Sequence, residues 1–148
     1  MKGMTIIVKT ITRLISGLIF LYGVYIVLHG HLTPGGGFAG GIIIAGAFIL
    51  LILSEGSEEA SSEIKKWRAS VGESSGIFIF WLLAILGLFT GSVFFLNLLP
   101  KGKEYHLFSA GIIPLCNIGI GLEVAAALFA IFITLAVLKM GTKNDPFD

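Results

Sequence analysis

Charged residues and cysteine are both scarce in this sequence. Charged side chains make up 13% of the 148 residues, whereas hydrophobic side chains make up 55%, and the mean hydropathy is +0.96. A soluble domain carries about 25% charged residues, so this chain has too little polar surface to fold alone in water. We therefore predict an integral membrane protein.

The scarcity of reactive groups excludes several function classes. The single cysteine, Cys116, cannot form an intramolecular disulfide, and the sequence contains no thiolate metal motif. The formal net charge of +1 argues against nucleic acid as a partner. No nucleophile and base stand in a catalytic pattern, so we expect the isolated chain not to be an enzyme. Because the sequence contains no thiolate metal motif, we also expect the chain to hold no cofactor and no bound metal.

Four apolar runs are long enough, or nearly long enough, to cross a bilayer as helices. They cover about residues 10–28, 38–54, 77–99 and 119–139. A hydrocarbon core of about 30 Å needs about 20 helical residues, and the runs lack the alternation that barrel strands show. The predicted fold is all-α, one membrane domain over residues 1–148 with four transmembrane helices.

Lysine and arginine indicate the orientation of the chain. With four spans, eight basic residues fall on the side of the N-terminus and two fall on the opposite side. The eight are Lys2, Lys9, Arg13, Lys65, Lys66, Arg68, Lys139 and Lys143, and the two are Lys101 and Lys103. Because cytoplasmic segments carry the excess of basic residues, we predict a multi-pass protein of the cell membrane with both termini cytoplasmic.

Two connectors carry weaker signals. The connector 54–76 is predicted to be solvated, with a short interfacial helix as the alternative, and Ser70 and Glu73 have capping-box spacing before the third span. The second half of the connector 100–117 is apolar but too short to cross. Pro114 within it predicts a segment that dips against the protein before the fourth helix begins.

Glycine is concentrated in the segment "HGHLTPGGGFAGG", residues 29–41. The segment formally matches the dinucleotide-binding pattern G-x-G-x-x-G, but that pattern requires a preceding strand, and here a membrane span precedes it. Gly37, Gly41 and Ala45 have the spacing that lets two helix backbones approach closely in lipid. We assign a glycine turn and helix packing to Pro34, Gly35, Gly36, Gly37, Phe38, Gly40 and Gly41.

Two interpretations of the glycine segment remain open. The first is close packing alone. In the second, Gly35–Gly37 form a turn at membrane depth, where non-helical backbone is tolerated only against protein or a wet cavity. Free carbonyl groups in such a turn are suitable ligands for a conducted cation.

Three ionisable residues are candidates for an ion pathway. His29 and His31 do not share a helix face, so we do not expect them to bind a metal together. We expect them to anchor the turn or to handle protons. Glu123 is the single acidic residue within the four apolar runs, about one turn into the fourth. A carboxylate there usually marks an ion or proton route, although pairing or interaction with a helix N-terminus is the alternative. Weaker candidates, expected only to bond between helices, are Thr90, Ser92 and Asn97.

The glycine segment and the following apolar helix resemble the B subunit family of Mrp-type multisubunit sodium/proton antiporters. In that family a proline and a glycine cluster ending in Phe-x-Gly-Gly precede the second of four helices, as "PGGGFAGG" does here. The segment "GIIPLCNIGIGLEV", residues 111–124, is similar to the one that leads into the family's last helix. The resemblance covers nearly the whole chain in length, span count and loop layout.

The resemblance implies a small subunit of a large hetero-oligomeric membrane complex, next to larger antiporter-like subunits. Related modules occur in archaeal membrane-bound hydrogenases and sulfur reductases, so the host complex is expected to be either a plain antiporter or a redox enzyme. We hypothesise that this chain helps form a Na⁺/H⁺ translocation route at subunit interfaces. The alternatives are a purely structural subunit and a stand-alone small transporter. A single four-helix chain without repeats is small for a transporter that must alternate access by itself.

Overall fold

The computed structural model of the protein describes residues 4–56, 63–91, 93–103, 105–107 and 109–142. These residues form four α-helices and contain no strand. In chain order the helices are α1 (Ile6–Leu28), α2 (Gly36–Glu55), α3 (Glu63–Gly91) and α4 (Ile113–Thr142). Each helix contains a segment long and apolar enough to cross a membrane, which confirms the predicted all-α fold with four membrane helices.

The first two helices begin earlier than the sequence predicts. α1 starts at Ile6 rather than near residue 10, and α2 starts at Gly36 rather than at residue 38. The 20 residues of α2 span about 30 Å. This helix therefore reaches the thickness of the hydrocarbon core only because Gly36 and Gly37 belong to it.

The third helix begins and ends earlier in the sequence than the predicted span 77–99. It begins at Glu63, inside the connector that was predicted to be solvated, and it ends at Gly91. Ser70 and Glu73 lie within this helix, so the prediction that they cap its start is wrong. The interfacial helix considered for the connector is part of the same continuous helix.

Residues 93–99 fold back on the end of α3 instead of extending it. The N–H of Phe95 donates a hydrogen bond to the carbonyl oxygen of Ala84 at 3.2 Å. Leu96 lies so close to Gly91 that a Cβ there would collide with its side chain. Phe95 has a φ of +59°, a region that bulky residues seldom adopt. The prediction was wrong here because apolar character continues past Gly91 although the helical backbone does not.

The fourth helix begins at Ile113, six residues before the predicted span. Pro114 is its second residue, where the missing N–H costs nothing because the first-turn donors have no partner within the helix. Asn97 holds the turn before the helix: its Nδ2 donates to the Ala110 carbonyl at 3.3 Å, and its Oδ1 accepts the Ile112 N–H at 3.1 Å. The prediction that the chain dips against the protein around Pro114 is therefore wrong, because the residues from Ile113 onward are helical.

The helices pack side by side in the order α1, α2, α4, α3. The α1–α2 and α3–α4 pairs are antiparallel, whereas α2 and α4 run parallel. We call the end that holds the α1–α2 turn and the start of α4 the outer end, following the predicted orientation, and the opposite end the inner end. Between 17% and 28% of each candidate span is buried within the chain. Most of the helix surface must therefore be covered by lipid or by other polypeptides.

Candidate functional site

The turn between α1 and α2 is built by hydrogen bonds to one carbonyl group. The His29 carbonyl oxygen accepts the N–H groups of Leu32 at 2.8 Å and Thr33 at 2.9 Å, and the Thr33 hydroxyl at 3.1 Å. Gly35 and Gly36 then take φ values of +131° and +63°, which a residue with a Cβ adopts only with strain. The glycines at these two positions allow α2 to start immediately after the turn.

The first turns of α2 touch α4 backbone to backbone. A Cβ at Gly37 would collide with the Asn117 carbonyl oxygen, and a Cβ at Gly41 would lie 2.8 Å from the Gly121 carbonyl oxygen and 2.9 Å from the Val124 Cβ. Both glycines are buried. Absence of a side chain is therefore what allows the two parallel helices to meet.

The opposite side of α2 meets α1 in the same way. A Cβ at Gly40 would lie 2.9 Å from the Gly23 carbonyl oxygen and would collide with Val27. A Cβ at Gly23 would lie 2.7 Å from Ile44 Cγ1. We call the contacts of α2 with α1 and α4 at Gly23, Gly37, Gly40 and Gly41 the glycine junction. Phe38 is 61% exposed, so it does not pack in this junction.

The two histidines make separate contacts at the outer end. The His29 ring stacks on Tyr25 with centroids 4.1 Å apart, and its Nδ1 lies 3.0 Å from the Tyr25 carbonyl oxygen. The Nε2 of His31 lies 3.3 Å from the His106 carbonyl oxygen, which ties the turn to the outer connector. Within the described part of the chain, no group of three or more histidine, cysteine or acidic residues is arranged to hold a metal ion.

Two buried polar atoms beside the turn have no hydrogen-bond partner among the described residues. They are Nδ1 of His31 and Nδ2 of Asn117. A Cβ at Gly30 would lie 2.7 Å from this Asn117 nitrogen, so the amide fills the space between the turn and the first turns of α4. Buried polar groups without a partner often contact ordered water. Asn117 was not predicted as a site residue, although its place within an apolar helix was a usable signal.

Glu123 lies about three turns into α4 rather than one turn from its start. It is the eleventh residue of the 24-residue candidate span, about 15 Å from the first residue. This depth is about half the thickness of the hydrocarbon core. The attraction between a carboxylate and a helix N-terminus fades within the first turn. The N-terminal interaction considered from the sequence therefore does not explain this position.

The half-buried Glu123 is packed against α3 through another glycine. A Cβ at Gly76 would lie 2.6 Å from the backbone nitrogen of Glu123 and 2.8 Å from its Cβ. One turn away, a Cβ at Gly72 would lie 3.1 Å from the Ala126 Cβ. Among the described residues, no hydrogen bond or ion pair to the Glu123 carboxylate is found. Gly72 and Gly76 were not singled out from the sequence, although their i, i+4 spacing is typical of close helix contacts.

The structure does not bring all the predicted site residues together. The glycine junction and the two histidines lie at the outer end, around α1, α2 and the start of α4. Glu123 lies deeper, on the face of α4 that meets α3. The molecule thus has two polar points at different depths. One is the turn with its buried His31 and Asn117 atoms, and the other is the carboxylate between α3 and α4.

These features define a multi-pass membrane protein with four helices packed through glycine. The family model of a domain related to the MnhB subunit of Na⁺/H⁺ antiporter matches residues 7–139. The chain therefore belongs to the MnhB domain family, which confirms the family resemblance found in the sequence.

Relatives in bacteria and archaea agree with this assignment. The chain is 28% identical over 142 residues to a putative antiporter subunit mnhB2 of Staphylococcus aureus, with 92% of this chain and 97% of that protein covered. It is 38% identical over 132 residues to an uncharacterized protein of Methanocaldococcus jannaschii, with 84% of this chain and 49% of that protein covered.

A solved structure has the same fold. The match is to a chain in the membrane-bound sulfane sulfur reductase, an archaeal respiratory membrane complex, with a TM-score of 0.64 and 31% identity. It covers 90% of this chain and 58% of that chain. The chain thus spans about half the length of the two archaeal proteins it matches and nearly the full length of the staphylococcal one.

Proposed function

We propose that this protein is a membrane subunit of an Mrp-like cation/proton antiport module in a multisubunit complex. The family match over residues 7–139 carries the proposal. A named antiporter subunit among the relatives supports the antiport activity, and the relative within a respiratory membrane complex supports assembly with other subunits. Both a plain antiporter and a redox enzyme are compatible hosts.

The exposed helix surface supports a role at subunit interfaces. No candidate span has more than 28% of its residues buried within the chain. Although α1 touches α4 where Val27 meets Gly121, α1 and α3 do not pack against each other, so a pathway through the protein needs a wall supplied by another subunit. An ion route in this module would accordingly run along a boundary of this chain.

Within that route, Glu123 is the group that we propose attracts the cation. A carboxylate near the bilayer centre costs about 2.5–3.5 kcal/mol on insertion scales unless protein or water surrounds it. Its backbone is in close contact with Gly76, and among the described residues its carboxylate has no counter-charge. A transient Na⁺ or proton would supply that charge. His31 and the turn that ends at Gly35 would lie at the outer side of such a route, and His29 would anchor the turn through Tyr25. Gly36 and Gly37, which were predicted from the sequence to lie in the turn, belong to α2.

Substitution of Glu123 tests this proposal. Glu123→Gln should lower sodium-dependent antiport by about tenfold or more, because the amide keeps the shape but removes the charge. Glu123→Asp keeps the charge and should retain a larger part of the activity. Glu73→Gln, the same change one turn from Gly76 in α3, is the control for loss of another membrane carboxylate. Transport in inside-out vesicles and co-purification of the other subunits should be measured on every variant.

The two readouts separate ion transport from a purely structural role. Loss of transport in a Glu123→Gln complex with all its subunits would support the ion route. Wild-type antiport in that complex would exclude a role for Glu123 and favour the structural subunit. Activity of the chain purified without any partner would contradict the multisubunit proposal itself.

A further inference from the structure

A cavity of about 660 Å³ lies between α1 and α2 in the inner half of the molecule. Apolar side chains such as Phe20 and Phe48 form most of its wall, and Arg13 and Glu55 stand at one end. We call this cavity the inner slot. None of the residues proposed for ion passage lines it, so any ligand of the slot is independent of the proposed function.

The inner slot is a groove along the outside of the α1–α2 contact, bounded at both ends. At its outer end the Phe20 and Phe48 rings meet edge to face with centroids 5.8 Å apart. At its inner end Arg13 pairs with Glu55. Between these contacts Ser16 and Ala47 are each 2% exposed, so the helices stay packed there. The exposed Gly17 faces the open side of the groove, since a Cβ there would have no atom within 4 Å.

Arg13 places positive charge at the inner end of the slot. Its Nε donates to Glu55 Oε1 at 3.1 Å and its Nη2 to the same oxygen at 2.5 Å. A guanidinium has five N–H donors, so three remain without a partner among the described residues. The side chain is 65% exposed. Lys9 lies one turn earlier on the same face of α1, so among the described residues two cations stand near this end of the slot.

We propose that the inner slot binds one acyl chain of a phospholipid whose phosphate is held by Arg13. Basic pockets between membrane helices on the cytoplasmic side bind anionic lipid head groups, and guanidinium matches phosphate geometry through paired hydrogen bonds. The apolar wall below Arg13 provides the surface for the chain. The phosphate lies at the inner end and the chain follows α1 past Gly17 toward Phe20.

The charge at the inner end of the slot favours a phospholipid over a helix of another subunit. A lipid phosphate accepts the Arg13 N–H groups that Glu55 leaves unused. An apolar helix face supplies no such acceptor.

Native mass spectrometry of the protein purified with its co-purifying subunits tests the proposal. Delipidated complex would be titrated with phosphatidylglycerol and, separately, with dioleoylglycerol, which has the chains but no phosphate. We expect a saturable phosphatidylglycerol adduct that weakens about tenfold in Arg13→Gln, the size expected for loss of charged hydrogen bonds. Glu55→Gln should keep or strengthen the adduct, because it removes only the negative charge.

Two glycine variants separate the slot from the rest of the surface. Gly17→Leu fills the slot and should abolish the adduct. Gly46→Leu is the matched control, because its added side chain also meets no atom within 4 Å of the Cβ position and Gly46 does not line the slot. Equal phosphatidylglycerol binding by wild type and Gly17→Leu would overturn the proposal. Equal binding of the two lipids, or a partner helix found in the slot, would also overturn it.

Discussion

The two halves of the α1–α2 pair use glycine in opposite ways. In the outer half, Gly23 and Gly40 have no room for a Cβ because the neighbouring helix is already in contact. In the inner half, Gly17 and Gly46 have no atom within 4 Å of the position of a Cβ. Glycine in a membrane helix is therefore a sign of close packing at some positions and of open space at others.

The difference shows how limited a spacing rule is on its own. The small residues Gly37 and Gly41 stand at i and i+4 and meet a neighbouring helix. Gly46 lies in the same helix and meets none. Spacing reports that an approach is sterically allowed, but contact also requires a partner on that face. The substitutions below test whether the outer half, rather than the inner half, holds the fold together.

The largest effect is expected at the contact of α2 with α4. Gly41→Leu would force a side chain into the Gly121 carbonyl oxygen and Val124, so the helices would have to separate along the junction. We expect loss of the folded, monodisperse protein, measured as the size-exclusion peak in detergent. A normal peak and normal subunit co-purification in this variant would show that the junction is dispensable.

A smaller effect is expected at the polar tie of the outer end. Asn97→Ala removes hydrogen bonds to Ala110 and Ile112 and leaves the buried Ile112 N–H unpaired, whereas the Ala110 carbonyl keeps the Ile113 N–H. The expected loss is about 1–3 kcal/mol of stability, seen as a lower midpoint in thermal unfolding. Asn97→Asp keeps the acceptor for the Ile112 N–H and should lose less. Equal midpoints for Asn97→Ala and wild type would contradict a structural role for this side chain.

The smallest effect is expected in the inner half. Gly17→Leu and Gly46→Leu add side chains to open space and replace a poor helix former by a good one. We expect the unfolding midpoint to stay within a few degrees of wild type for both. A loss of folded protein as large as that of Gly41→Leu would show that the inner half is as tightly packed as the outer half.

The number and type of helices were predictable from the sequence, but several of their boundaries were not. Hydropathy located four apolar runs because membrane helices need uninterrupted apolar length. Hydropathy placed the end of the third helix too late. Phe95 and Leu96 are as apolar as the residues of a membrane span, but the backbone turns back at these positions instead of continuing the helix. Hydropathy placed the start of the fourth too late, because Pro114 was taken as a breaker although a first-turn proline is compatible with a helix.

The candidate site was predictable in composition and less so in geometry. The sequence singled out the glycine segment and Glu123 from residue type alone, since glycines and a carboxylate are unusual beside and within apolar runs. It did not indicate that Glu123 lies about three turns into α4 against Gly76, because that depth follows from where α4 begins. The contact between Asn117 and the turn joins residues far apart in the chain, which no local pattern reports.

The helix order has a consequence for biosynthesis. α2 packs on α4, but α3 and its connectors are made between them, at about 5–20 residues per second. For several seconds the Gly37 and Gly41 surface of a nascent molecule therefore faces lipid or the insertion machinery. Any other helix with small residues that it meets in that interval is a competitor for pairing. The yield of correct molecules is accordingly set by how fast the last helix arrives as well as by how well it fits.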